Sequence, residues 1–309
     1  MNPFRVSIGD NPDVCAESCA WIEIKEALSG AICQCAQPGM AIEARRVVER
    51  VPGDVDARPD GSMHARRPGS SSMSRMIAVA ASGVCRRYGR RWALTDVTFE
   101  VPEGALVMVT GRNGSGKSTL LRILATAIRA DRGTVRILDL DVREDRDSVR
   151  RKVALLGHRT HLYEPLTALE NLAARARFLG ADPRRGPLLS RLEEVGLADR
   201  GDDPVQAFSA GMRQRLALAS VLQQQARVVL LDEPYGHLDP PGFLLVDGLL
   251  QRLRREGTTV LMATHLVNRG RNLCDRGLVL EAGRLAYAGT AAQMPQPLGA
   301  DGAGFAEGA

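Results

Sequence analysis

The sequence predicts an alternating α/β protein organised around a phosphate-binding loop, and three observations carry that expectation. Short apolar runs of buried-strand length alternate with helical patterns from about residue 77 onward. Between one such run and the next helical pattern stands Gly111-Arg112-Asn113-Gly114-Ser115-Gly116-Lys117-Ser118, which fits G-x-x-x-x-G-K-S/T. A block of helical patterns, roughly residues 166–225, then interrupts the alternation before strands return.

Taken in order, residues 1–74 read poorly as a domain. A helical patch around residues 16–28 gives way to Pro52-Gly53-Asp54, Arg58-Pro59-Asp60-Gly61 and Arg67-Pro68-Gly69-Ser70, turn formers without periodicity. The segment is expected to be disordered, or to come from an over-extended start, with Met73 or Met76 as the true one. Strands are expected at residues 77–81 and, by the alternation of Val97, Phe99 and Val101, up to the turn Pro102-Glu103-Gly104. Residues 105–110 read as a buried strand, 117–128 as a helix, and 134–138 and 153–156 as further strands. Helical patterns occupy 166–179, 188–195 and 210–225, followed by strands at 228–231, 259–262 and 278–280. The Gly- and Ala-rich tail from residue 290 reads as loose.

Composition bounds the function. At 309 residues, 44% hydrophobic and 25% charged, the chain can bury a sizeable core in one or two domains. Its apolar runs fall far short of the roughly 18 residues that a membrane span needs, so a pore would have to come from other chains. The N-terminus has no basic start followed by an apolar stretch, and a cytoplasmic address is expected. The formal charge of +5 reads as a solvated Arg-rich surface rather than a nucleic-acid footprint. Only Lys25, Lys117 and Lys152 are lysines among 41 basic residues, and one of the three sits in the phosphate loop.

That loop needs small residues because its backbone N–H groups must close around phosphate oxygens while the following helix points its positive end at the same anion. Lys117 is expected to pair with the β and γ phosphates, Ser118 to ligate Mg²⁺ and Thr119 to reach the α phosphate. A purely structural Gly-rich turn is the competing reading, and the strand-to-helix context opposes it. Farther on, the apolar run 228–231 delivers Asp232 and Glu233 at its C-terminal end, where open α/β sheets place ligands. Asp232 is the candidate for the Mg²⁺ shell and Glu233 for polarising the attacking water. Alone, such an acidic pair is commonly a solvated loop; with the phosphate loop it reads as the other half of one metal site.

Between the two lies Phe208-Ser209-Ala210-Gly211-Met212-Arg213-Gln214-Arg215, at the start of a helix for which Ser209 is a plausible N-cap. This segment resembles the L-S-G-G-Q signature of ABC ATPases, with Phe208, Ala210 and Met212 departing from the common pattern and Ser209 and Gly211 keeping it. Gly236-His237-Leu238-Asp239 resembles the family's D-loop, Thr264-His265 its switch histidine, and Tyr88 stands where the family stacks adenine. The resemblance covers about residues 76–289 and implies a P-loop NTPase fold of the ABC ATPase type. That fold has a RecA-like core, an antiparallel β subdomain and an inserted helical subdomain, here about residues 158–225. It implies ATP and Mg²⁺ as ligands and Glu233 and His265 as catalytic residues. It also implies that Ser209, Gly211 and Asp239 contribute to a nucleotide shared with a second ATP-binding subunit, and that integral membrane permease subunits are the partners.

Where most of the family has a Q-loop glutamine, this chain has Gly157-His158, followed by Leu166-Thr167-Ala168-Leu169-Glu170-Asn171-Leu172. That combination is similar to the ATP-binding subunit of the heme exporter of cytochrome c maturation, the CcmA family, and implies heme export with His158 near the nucleotide. Another export ATPase, for lipid or drug, is the alternative within the class. A soluble ABC protein of repair or translation would need a coiled insertion or a second cassette, and an inert dimerisation module is opposed by Lys117, Asp232, Glu233 and His265 together. Cys15, Cys19, Cys33 and Cys35 lack the spacing of a standard zinc site, and Cys85 and Cys274 read as ordinary buried thiols.

Overall fold

The computed structural model describes residues 76–295. The four clustered cysteines, the candidate start at Met73 and the other expectations about residues 1–74 lie outside the described residues, as does the end of the expected tail.

The described chain opens with two long antiparallel strands, β1 (Ile77–Tyr88) and β2 (Arg91–Pro102), joined by a tight turn. In β2 the alternation read from the sequence is real: Leu94, Val97, Phe99 and Val101 are buried and the residues between them are less so. β4 (Arg132–Ile137) and the two-residue β5 (Leu140–Asp141) complete an antiparallel sheet of order β2-β1-β4-β5.

The second sheet has the order β10-β9-β3-β8-β7-β6. β3 (Leu106–Thr110), β6 (Val153–Leu156), β7 (Val228–Asp232), β8 (Thr259–Ala263) and β9 (Arg276–Glu281) are mutually parallel, and β10 (Arg284–Thr290) closes one edge antiparallel. Continuous apolar runs are required here because both faces are covered. Leu106, Met108, Val229, Leu231, Val260 and Met262 face one core, while Val107, Val109, Val228, Leu230, Leu261 and Ala263 face the other.

α1 (Lys117–Leu124) leads from β3 into the core shared with the antiparallel sheet. α2 (Arg146–Lys152) precedes β6. The helical block then packs into the opposite core as α3 (Ala168–Leu179), α4 (Arg185–Glu193) and α5 (Ala210–Leu222). α6 (Pro240–Arg255) and α7 (Val267–Leu273) alternate with β8 and β9. Thr167 starts α3 with a complete capping box: its hydroxyl accepts from Glu170 N and the Glu170 carboxylate accepts from Thr167 N.

Three expectations need correction. The helix predicted over 117–128 ends at Leu124, because Thr126 turns left-handed (φ 59°). Arg146 donates to its carbonyl at 2.9 Å and Arg150 to its hydroxyl at 3.0 Å, a partnership between distant segments that outweighs helix propensity. The tail predicted to be loose from residue 290 is packed as far as it is described. Ala291 and Met294 are buried, and a Cβ on Gly277 would lie 2.6 Å from Met294 Sδ, so the glycine in β9 makes room for that side chain. Of the two thiols expected to be buried, Cys274 is, while Cys85 is only half-buried. β5 and β10 were not anticipated; both are short or half-exposed and carry little periodic signal.

Candidate functional site

The strand order decides what meets. β8 lies between β3 and β7, and all three run parallel, so the loops leaving their C-terminal ends share one edge of the sheet. Those loops carry residues 111–118, Asp232 with Glu233, and Thr264 with His265.

The phosphate loop is held open by glycines. Gly111 has φ 143°, and a Cβ there would sit 2.1 Å from the Leu280 carbonyl oxygen. Gly116 has φ 105°, and its Cβ would meet Ala93 O and Leu94 Cδ2 at 2.6 Å each. Gly114 also has positive φ, with open space beside it. Arg112, Asn113 and Ser118 are exposed and Thr119 is half-buried. The Ser115 hydroxyl is buried without a hydrogen-bond partner. Lys117, mostly buried, donates from Nζ to the carbonyls of Gly111 at 2.8 Å and Arg112 at 3.1 Å. Burial pushes its ammonium below the usual lysine range, opposed by the nearby Glu233 and Asp232 carboxylates. A buried cation resting on two carbonyls, an orphan hydroxyl and a cradle too tight for a Cβ fit a polyphosphate.

Asp232 is buried at the end of β7. Glu233 follows in a left-handed conformation (φ 54°), its N–H donating to Ala263 O of β8 at 2.9 Å. That turn brings Glu233 Oε2 within 2.9 Å of His265 Nδ1. The carboxylate side chain is 23% exposed and the imidazole 70%, so the pair lies at the surface with the acid as the inner member. Buried Thr264 steadies the histidine loop: its N–H donates to Val109 O at 3.2 Å and its hydroxyl accepts from Leu266 N at 3.1 Å.

Ser209 is the N-cap of α5, as the sequence indicates, with its hydroxyl accepting from Met212 N at 3.2 Å. Gly211 lies against the next loop, where a Cβ would stand 2.9 Å from His237 O. Asp239 is exposed, caps α6 by accepting from Gly242 N at 3.0 Å, and lies 3.7 Å from Arg215 of α5. Tyr88 closes β1 with 43% of its surface exposed and the Arg86 guanidinium over its ring at 4.9 Å. His158 is exposed just beyond β6, on the same sheet edge as the other loops. The residues that come together most tightly are therefore the phosphate loop, Asp232, Glu233 and His265.

One contact was missed. Gln214 of α5 is buried and donates from Nε2 to Glu233 O at 3.3 Å and Pro234 O at 3.2 Å. Within Arg213-Gln214-Arg215 it looks like part of a solvated face, but its helical spacing to Leu218 and Val221, both buried, places it inward.

Residues 94–236 match the family model described as ABC transporter. The chain is 38% identical over 226 residues to daunorubicin resistance ATP-binding protein DrrA3 of Streptomyces coeruleorubidus, covering 72% of each. The chain belongs to the ABC transporter family. This ABC ATP-binding chain is also 34% identical over 214 residues to Nod factor export ATP-binding protein I of Bradyrhizobium diazoefficiens, covering 69% of itself and 70% of that relative. Among solved structures it is similar to a dimeric ATP-binding cassette in a post-hydrolysis state bound to ADP and Pi. That match has a TM-score of 0.63 and 27% identity, covering 69% of this chain and 98% of the other. The fold is that of the ABC ATPases, and ATP with Mg²⁺ is what such a domain binds and hydrolyses. Among the described residues no helix is long and apolar enough to cross a membrane.

Proposed function

We propose that the chain is the ATP-hydrolysing subunit of an ABC exporter, acting on the cytoplasmic face of the membrane with a second ATP-binding subunit and integral membrane permease subunits. The observation that carries this reading is the meeting of buried Lys117, with Asp232 and Glu233 near enough to act on its charge, and a Glu233 carboxylate 2.9 Å from His265.

The backbone N–H groups of Gly111, Arg112, Asn113, Gly114, Ser115 and Gly116 would enclose the phosphates, and Thr119 would reach the α phosphate. Lys117 would exchange its two carbonyl partners for phosphate oxygens, a full opposite charge that offsets the cost of burying the ammonium. Tyr88, partly exposed at the end of β1 with the Arg86 guanidinium over its ring, would stack on adenine. Ser118 and Asp232 are the residues that would hold Mg²⁺, which supplies neutralisation of phosphate charge. Glu233 would orient and polarise the attacking water, and His265 would fix that carboxylate and reach the γ phosphate. Ser209, Gly211 and Asp239 would meet the nucleotide of the second subunit. His158, at the start of the helical block of residues 158–225, would link nucleotide state to the permease.

For the cargo, the daunorubicin-resistance relatives favour a drug-sized hydrophobic compound. Heme for cytochrome c maturation is the second reading, favoured by Gly157-His158 and the run from Leu166 to Leu172 in one-letter form LTALENL. Glu233→Gln is expected to cut Mg²⁺-dependent ATP turnover on the order of 100-fold or more while ATP still binds. Turnover unchanged by that substitution would sink the assignment of Glu233 as the residue that polarises the attacking water. In the complex with its permease, stimulation of turnover by an anthracycline but not by heme selects the drug reading, and the reverse selects heme.

A further inference from the structure

The segment from Glu233 to Asp239 is braced from one side by α5. Gly211 packs against His237 O, Arg215 lies 3.7 Å from Asp239, and Gln214 donates to the carbonyls of Glu233 and Pro234. From the other side β8 holds the same turn through the bond from Glu233 N to Ala263 O. Glu233 is not a glycine, yet it sits at φ 54°, a conformation that L side chains rarely adopt and that surrounding contacts must enforce. The Glu233 carbonyl also accepts from Gly236 N at 3.0 Å, closing the turn. Gln214 is therefore bonded to the peptide unit that leaves Glu233 and to the one after it, while β8 holds the unit that enters Glu233, and together these bonds set where the Glu233 carboxylate points. A few degrees of rotation there would move Glu233 away from His265 and from any water it polarises.

We infer that Gln214 is a positioning residue for Glu233, holding the left-handed turn that aims its carboxylate, so that the helix beginning at Ser209 also sets the geometry of this chain's own hydrolytic acid. The inference rests on the proposed role of Glu233 and deepens it. Gln214 is buried against backbone carbonyls and acts through Glu233. Its donor N–H₂ is the group that matters, because two carbonyl oxygens face it and neither can accept from an apolar side chain or from an ionised carboxylate.

The test uses the full chain with Mg²⁺ and ATP and compares Gln214→Leu, Gln214→Glu and Glu233→Gln with wild type. Gln214→Leu keeps a side chain of similar bulk, one atom shorter, and loses the donor. It is expected to lower kcat on the order of 10-fold, as a displaced catalytic group does, with KM for ATP changing by less than about 2-fold. Gln214→Glu places an acid against two carbonyls. It is expected to be as slow as the leucine variant near about pH 8 and to recover toward about pH 6, because a buried carboxyl protonates readily and then donates one hydrogen bond. Recovery relative to wild type on acidification is a signature that loss of packing alone would not produce. If Glu233→Gln is inactive and Gln214→Leu keeps wild-type kcat, or changes only KM, the inference is overturned and the role of Glu233 stands. If Glu233→Gln turns over normally, the underlying reading fails instead. Should Gln214→Leu not fold, the pH profile of Gln214→Glu decides, and a constant ratio to wild type across that range overturns the inference.

Discussion

At Gly111 the phosphate loop leaves β3 with φ 143°, and the space a methyl group would take is already filled by a backbone carbonyl, Leu280 O, 2.1 Å from where the Cβ would be. A carbonyl at the end of a sheet strand cannot swing away as the tip of a side chain can. Gly111→Ala is therefore expected to lower stability by about 2 kcal/mol or more and to weaken ATP binding with it. Urea unfolding and nucleotide titration check both, and an alanine variant as stable as wild type would show that the loop has slack. Lys117 is governed by a different balance, in which burial lowers its pKa from the usual 10.5 and the two acids resist that. Sequence could name the glycines and the lysine because the motif requires their types. It could not say which glycine is sterically obligatory, since Leu280 and Ala93 come from strands far away in the chain.

At the scale of elements, the start of α5 was readable from its cap at Ser209, whereas the caps at Asp239 and Thr167 emerged only in the structure. Ser209 and Asp239 both accept from the N–H three residues on, and Thr167 forms the full box with Glu170. Thr167→Ala removes one half of that box from the first helix of the inserted block. It is expected to cost about 1 kcal/mol, read as a lowered urea midpoint with an unchanged denaturant slope. A shift smaller than about 0.3 kcal/mol would mean that packing of Ala168, Leu169 and Leu172 alone secures the start of α3. Helix ends were less readable. α1 stops short because Arg146 and Arg150 capture Thr126, and neither arginine announces that role in its own surroundings.

At the largest scale, the described residues form two cores on opposite faces of the parallel sheet, and Cys274 sits in the one that also contains the helical block. Burial, with a smaller contribution from Asp275, pushes its thiol up to about 12. Peptide mapping after alkylation near about pH 8 is expected to find Cys274 unmodified in the folded chain and modified in urea. Modification at the same rate in both would mean that this core opens readily. The sequence by itself determined the parallel α/β plan, because strands buried on both faces must be apolar throughout, and it determined the residue types that a phosphate and a metal ion demand. It also identified Glu233 and His265 singly. Only the tertiary structure decided that β8 separates β3 from β7, that Glu233 and His265 touch across 2.9 Å, that Gln214 donates to the carbonyls of Glu233 and Pro234, and that Met294 is core. The physical reason is range: caps, motifs and buried runs are written in neighbouring residues, whereas strand order and the bonds of a buried amide depend on which distant surfaces pack together.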